Sequence, residues 1–118
     1  MKTVPKMSLV APPVAGGAIA TRTFIPHKVH EAIGVLGAVS VATACVLPGS
    51  VAAKVAGITD PQNVKQLEVE HPTGFFTLDM EVAIEGGTLT VRRSALLRTA
   101  RKLVSGQVFV PGSVWRDR

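Results

Sequence analysis

The sequence predicts an α+β fold in which mostly antiparallel strands wrap one apolar helix. Three observations carry that expectation. His27 to Val46 is apolar for most of its length and meets a Pro48-Gly49 stop. Phe75 to Glu85 alternates strictly, and Gly86-Gly87 follows it as a hairpin turn. Of 118 residues, 47% are apolar and 18% charged, below the usual charged share of about 25%. That composition suits one domain, residues 1–118, with a single core. With four Phe, one Trp and no Tyr, the core has to be aliphatic.

The elements follow in order. Met7 to Ala11, "MSLVA", reads as a buried strand that Pro12-Pro13 ends. Val14 to Ala20 is small and glycine-containing, hence a loop, and Thr21 to Phe24 a short extended piece. The helix is expected from Pro26 or His27 to Val46. Lys54 to Lys65 reads as a loop with a turn at Pro61. Gln66 to Glu70 alternates as a strand, and "HPTG", His71 to Gly74, is a turn. In Phe75 to Glu85, Phe76, Leu78, Met80, Val82 and Ile84 share one face. Thr88 to Ala95 completes the hairpin. A short helix is expected at Leu97 to Val104, and a last strand at Gln107 to Gly112.

The apolar helix is too short to be a membrane span. Its uninterrupted part, Ala32 to Leu47, has 16 residues, against the roughly 20 needed to cross a bilayer. Gly34, Gly37, Ala38, Ala42 and Ala44 are small and suit close backbone packing on every side. No membrane partner is expected.

The formal charge is +5. From Arg92 to Arg118 there are seven Lys or Arg and one acid, but no aromatic residues interleave with them to stack bases, so no nucleic-acid partner is expected. The single cysteine, Cys45, excludes an internal disulfide and fits a reducing compartment. Met7 to Ala11 is too short for a signal-peptide core. The expected location is the cytoplasm.

Polarity gathers at the expected helix entrance, "FIPHKVHEA". A first helical turn offers unpaired N–H groups and partial positive charge, which suit carboxylate or phosphate. His27, Lys28 and His30 add donors there. The plainer alternative is the solvated end of a buried helix. The spacing His-x-x-His-Glu lacks the i, i+4 histidine pair of a helical zinc motif, and no metal or cofactor is expected. Cys45, in the last turn among Ala44 and Val46, reads as core rather than nucleophile. Arg98 and Arg101 lie one turn apart; they either converge on one anion or form a solvated basic face. His71 sits in a turn, where histidines are usually exposed.

Four blocks, "VPKMSLVAPP", "HKVHEAIGVLGAVSVATACVLPGSVA", "HPTG" and "RTARKLVSGQVFVPG", together resemble in order the C-terminal part of the PrpF-type isomerases. That family includes 2-methylaconitate and 4-oxalomesaconate isomerases. The resemblance implies the diaminopimelate-epimerase-like fold, two similar α+β domains each built around a central helix. This chain would be the C-terminal part of the second. It implies allylic proton abstraction and return on a di- or tricarboxylate, in a site between the domains. By resemblance, Lys28 and His30 match the helix-entrance motif, His71 the His-Pro-Ser/Thr-Gly turn, and Arg98 and Arg101 the Arg-x-Ala-Arg block. Ile25-Pro26-His27 replaces a Ser-Met-Gly common in the family, which inclines the substrate toward the oxalomesaconate type. The family's acid/base lysine and cysteine belong to the N-terminal domain, and no segment here matches them. The expected partners are therefore the carboxylate and either a missing N-terminal domain or a second copy in a homodimer, and the chain alone is expected to be inactive. The alternative is a non-catalytic carboxylate-binding or self-associating module.

Overall fold

A computed structural model describes residues 5–115. Val4 of the first resembling block and Arg116, Asp117 and Arg118 of the basic run lie outside them. The architecture is one curled, mixed sheet of six strands packed on one side by a helix. The strands are β1 (Met7–Ala11), β2 (Ile19–Ile25), β3 (Lys28–Val29), β4 (Gln66–His71), β5 (Gly74–Glu85) and β6 (Thr88–Leu96). Two helices, α1 (Val35–Val46) and α2 (Val51–Val55), and a 3-10 turn at Pro61–Asn63 connect β3 to β4. The sheet order is β1-β2-β4-β5-β6, with β3 also on β2.

Most neighbours are antiparallel, but β2 and β4 run parallel, with Ile19 opposite Val69 and Ala20 opposite Glu70. A parallel pair needs a long crossover, and α1 with α2 provides it. The start of α1 therefore lies at the carboxyl ends of β2 and β4.

The core forms where apolar faces meet. Ile19, Leu67, Val69, Leu78 and Met80 from the sheet pack with Ala38, Val41, Ala42, Cys45 and Val46 of α1 and with Ala52. Alternation in β5 is as expected: Leu78 and Met80 are buried, and Phe76 and Val82 partly so. Small residues on α1 let sheet and helix approach closely. At Gly37 an added Cβ would sit 3.2 Å from Ile33 Cγ1.

Six expectations need correction. Met7–Ala11 is an edge strand, exposed apart from half-buried Val10, rather than a buried one. The helix begins at Val35, not at Pro26 or His27. Ile25 pairs with Lys28 and Phe24 with Val29 across a turn at Pro26-His27. Strand pairing of the β-branched Ile25 and Val29 there outweighs the helical periodicity, and Pro26 suits the turn. The helix is sheathed on one face only, since Leu36 is 84% exposed and Ser40 is exposed. Lys54 to Lys65 is not all loop: Ser50 caps α2 by accepting the Ala53 N–H at 2.9 Å. Leu97 to Val104 forms no helix, and Gln107 to Gly112 pairs with no strand among the described residues.

Candidate functional site

The first turn of α1 opens onto a cavity of about 520 Å³ lined by Lys6, Ser8, Thr23, Ile25, Gly34 and Gly37, among others. Gly34 is the N-cap, extended at φ −67° and ψ 152°, and no side chain caps the helix. The first intrahelical bond runs from Ala38 N–H to Gly34 O at 2.8 Å. The amides of Val35, Leu36 and Gly37 lie ahead of it and point out of the helix end. The hydroxyls of Ser8 and Thr23, cross-strand partners on β1 and β2, share a hydrogen bond of 2.7 Å. Lys6 supplies a cation beside them. In open α/β sheets, ligands sit outside the carboxyl ends of parallel strands where a helix begins, and this cavity has that position.

Two histidines stand at the same end of the sheet. His30 N–H donates to Thr23 O at 2.8 Å, joining the chain after β3 to the cavity wall. Its Nδ1 accepts the Ala32 N–H at 2.9 Å, which orients the ring. His71 ends β4. The Thr73 hydroxyl donates to Glu31 O at 2.8 Å and lies 3.3 Å from His71 Nδ1. Burial holds His71 below the usual histidine value; the Glu31 carbonyl opposes this, and the nearby His30 charge adds to it. The His71 and Phe76 rings are 5.1 Å apart between centroids, and the Arg98 guanidinium carbon lies 5.3 Å from the Phe76 centroid.

One structural clamp holds this end in place. Glu70 is nearly buried, and its carboxylate accepts N–H bonds from Val14 (2.9 Å), Ala15 (2.8 Å) and Gly17 (2.7 Å). The Val14 bond is the largest cause that keeps its pKa below the ordinary glutamate value, against the opposing effect of burial. Gly16 has φ +87°, and an added Cβ at Gly17 would lie 2.7 Å from Glu70 Cγ. Both positions require glycine. Thr21, also buried, donates its hydroxyl to Glu70 O at 2.6 Å. Glu70 and Thr21 thus tie the β1–β2 loop and β2 to the strand end that carries His71.

Of the residues singled out from sequence, His30, His71 and Arg98 come together, with Phe76 joining the last two. His27 and Lys28 lie at the exposed β2–β3 turn, outside any helical first turn. The helix tip expected over Ile25 to His30 therefore lies at Gly34 to Gly37 instead. Arg101 is exposed beyond β6 and does not converge with Arg98 on helical spacing, because no helix forms there. Lys6, Ser8 and Thr23 were missed. The alternation of "KMS" and "TRT", which puts Lys6 with Ser8 and Thr21 with Thr23 on common faces, is the signal that points to them.

A second hollow, of about 440 Å³, is lined by Gly57, Asp60, Asn63, Gln66 and Glu68, among others, and includes no Lys or Arg. Its carboxylates disfavour an anion. Among the described residues no three His, Cys, Asp or Glu side chains gather to hold a metal. Cys45 is 1% exposed, and burial pushes its thiol up to about 11, so it is protonated and inert at neutral pH. No helix among the described residues is long and apolar enough to cross a membrane.

Comparison with known proteins decides the family. The family model described as PrpF protein matches residues 1–111. The chain belongs to the PrpF family. Among PrpF relatives, it is 57% identical over 109 residues to a (4E)-oxalomesaconate Delta-isomerase of Novosphingobium sp. strain KA1, covering 92% of this chain and 29% of the relative. It is 46% identical over 114 residues to a 4-oxalomesaconate tautomerase of Pseudomonas putida, covering 97% and 30%. The crystal structure of a methylitaconate-delta-isomerase superposes with a TM-score of 0.68 at 18% identity, over 92% of this chain and 30% of that one. The fold is therefore shared with that PrpF-like protein. This chain spans about 30% of the length of the relatives it matches.

Proposed function

We propose that this chain forms a carboxylate-binding portion of a PrpF-type isomerase or tautomerase that shifts a carbon–carbon double bond in a di- or tricarboxylate. The oxalomesaconate type is the substrate favoured by the two relatives at 57% and 46% identity. The observation that carries the reading is the uncapped α1 tip facing a cavity with Lys6, Ser8 and Thr23. A carboxylate there receives hydrogen bonds from outward-pointing amides, the favourable end of the helix dipole and one full positive charge. His71, His30 and Arg98 flank the same end of the sheet and suit a second carboxylate of the substrate.

Such an isomerisation needs a base to remove an allylic proton and an acid to return one elsewhere. Anion-stabilising groups lower the barrier by holding the carboxylates and the charge that develops as the proton leaves. This portion supplies the holding groups. The acid/base pair is assigned to the remaining portion of such an enzyme, so the chain alone binds without turning over.

The test is calorimetric titration with 4-oxalomesaconate, alongside an absorbance assay of tautomerisation. Binding is expected to weaken about tenfold in Lys6→Ala, the cost of one charge-assisted contact. Binding unaffected by Lys6→Ala would reject the site. Turnover by the chain alone would reject the division of labour.

A further inference from the structure

Two histidines at the end of the sheet each have Nδ1 committed to the protein, but to partners of opposite kind. The Ala32 amide can only donate, and it donates to His30 Nδ1 at 2.9 Å. That nitrogen therefore holds a lone pair, and the neutral His30 ring carries its proton on Nε2. The state of His71 follows from Thr73, whose hydroxyl has a single proton. That proton goes to the Glu31 carbonyl oxygen at 2.8 Å, since a carbonyl can only accept. Toward His71 Nδ1, 3.3 Å away, the Thr73 oxygen then has only lone pairs to offer. Nδ1 of His71 is the protonated nitrogen, and the lone pair falls on Nε2.

The local backbone holds this arrangement in place. His71 and Gly74 are cross-strand partners, so Pro72 and Thr73 form a two-residue turn that sets the hydroxyl beside the His71 ring. The same hydroxyl ties that turn to the backbone between His30 and Ala32. Burial first, and the nearby His30 charge after it, hold His71 below the usual histidine value, against the effect of the Glu31 carbonyl. At neutral pH the lone pair on its Nε2 is therefore kept rather than protonated. The hydrogen bonds of both rings are made by Nδ1. Among the described residues no buried side-chain nitrogen or oxygen lacks a hydrogen bond, so each Nε2 is open to a ligand.

We infer that Thr73 is a positioning residue: it fixes His71 in the Nδ1–H form, opposite to the Nε2–H form of His30, so that the pair offers a ligand one donor and one acceptor. Such a pair fits a carboxylate with a hydroxyl on the neighbouring carbon. His30 Nε2–H donates to the carboxylate, and His71 Nε2 accepts from the hydroxyl. The enol of a 2-oxo acid has that hydroxyl. Its keto form sets a carbonyl oxygen against the His71 lone pair, where neither group can donate. The inference rests on the reading that this end of the sheet binds a carboxylate substrate, and it specifies the form of the substrate held there.

The experiment reads both rings by two-dimensional proton–nitrogen NMR of this chain at neutral pH without ligand. A ring nitrogen that lacks a proton resonates far downfield of one that carries it. His30 and His71 are expected to show opposite patterns, with Nε2 protonated in the first and Nδ1 in the second. Thr73→Val keeps the side-chain shape without the hydroxyl, and should shift His71 toward the Nε2–H form that an unconstrained imidazole prefers. Thr73→Ser should keep the parent pattern, and an unchanged His30 in both variants checks the fold. A parent His71 protonated on Nε2, or a Thr73→Val variant that retains the Nδ1–H pattern, overturns the inference. Calorimetry then compares two probes, 2-oxoglutarate and the tighter enantiomer of 2-hydroxyglutarate, a stable stand-in for the hydroxyl form. The hydroxy acid is expected to bind about tenfold tighter, the equivalent of one hydrogen bond, and Thr73→Val should abolish that preference. Equal affinity of the parent chain for the two probes overturns the donor–acceptor role. If neither probe binds while the ring patterns are as expected, the carboxylate reading of this end fails and the positioning of His71 by Thr73 stands.

Discussion

Leu78→Ala against Leu103→Ala is the most direct measure of where the stability of this fold resides. Leu78 lies in the middle of β5, opposite Leu67 on β4, and is 0% exposed. Removing three side-chain carbons forfeits about 2.4 kcal/mol of transfer free energy at about 0.8 kcal/mol per carbon. The cavity left between sheet and helix adds about 1 kcal/mol, because neighbours collapse only in part. The expected loss is about 3–4 kcal/mol. Leu103 is 89% exposed, so its truncation in the isolated chain should stay within about 0.5 kcal/mol. Urea unfolding followed by far-UV circular dichroism separates the two. With a slope of about 1.5 kcal/mol per molar, the Leu78 variant should unfold roughly 2 M earlier and the Leu103 variant at the parent midpoint. Equal shifts would refute the reasoning, since Leu103 would then belong to the same core as Leu78.

Two pH-linked outcomes follow from the site. Glu70 has a lowered folded pKa, so its stabilising contribution is complete above 4.5 and is lost as pH falls through the lower folded value; hydrogen exchange at Val14, Ala15 and Gly17 should accelerate over that range, and about tenfold at neutral pH in Glu70→Gln. His71 should titrate below 6.5 by proton NMR, and His30→Ala should move its midpoint upward by removing a like charge. Because its folded value is the lower one, protonation of His71 costs stability from about pH 6.5 downward, and acidification strengthens neither contribution.

Local chemistry was legible wherever one period ruled without competition. The β5–β6 hairpin follows from strict alternation and Gly86-Gly87, whose φ values of +59° and +80° the turn requires. Gln66–His71 was legible for the same reason; Met7–Ala11 was legible as a strand from its apolar run before Pro12-Pro13, but not its exposure. The buried, inert Cys45 also followed, from its apolar neighbours and its place near the helix end. Legibility failed at residues 26–34, where one stretch satisfies two periods. His27, His30, Ile33 and Gly34 read as helix, but Lys28 and Val29 gain more by pairing with Ile25 and Phe24. The Glu70 clamp was invisible because its partners lie 53–56 residues away and are backbone amides, which carry no sequence signature.

By itself the sequence determined the family, the apolar composition of the core, most strands and the presence of one main apolar helix, because these depend on side-chain type and short-range spacing. The tertiary structure decided where that helix starts, and so moved the helix tip from His27 to Gly34. It also decided that β2 and β4 run parallel, which brings Lys6, Thr23, His30 and His71 to one end of the sheet. It left "QVFV" without a partner among the described residues. The physical reason is common to all three: pairing between strands far apart in sequence is a contest among edges, and no local pattern records which edge prevails.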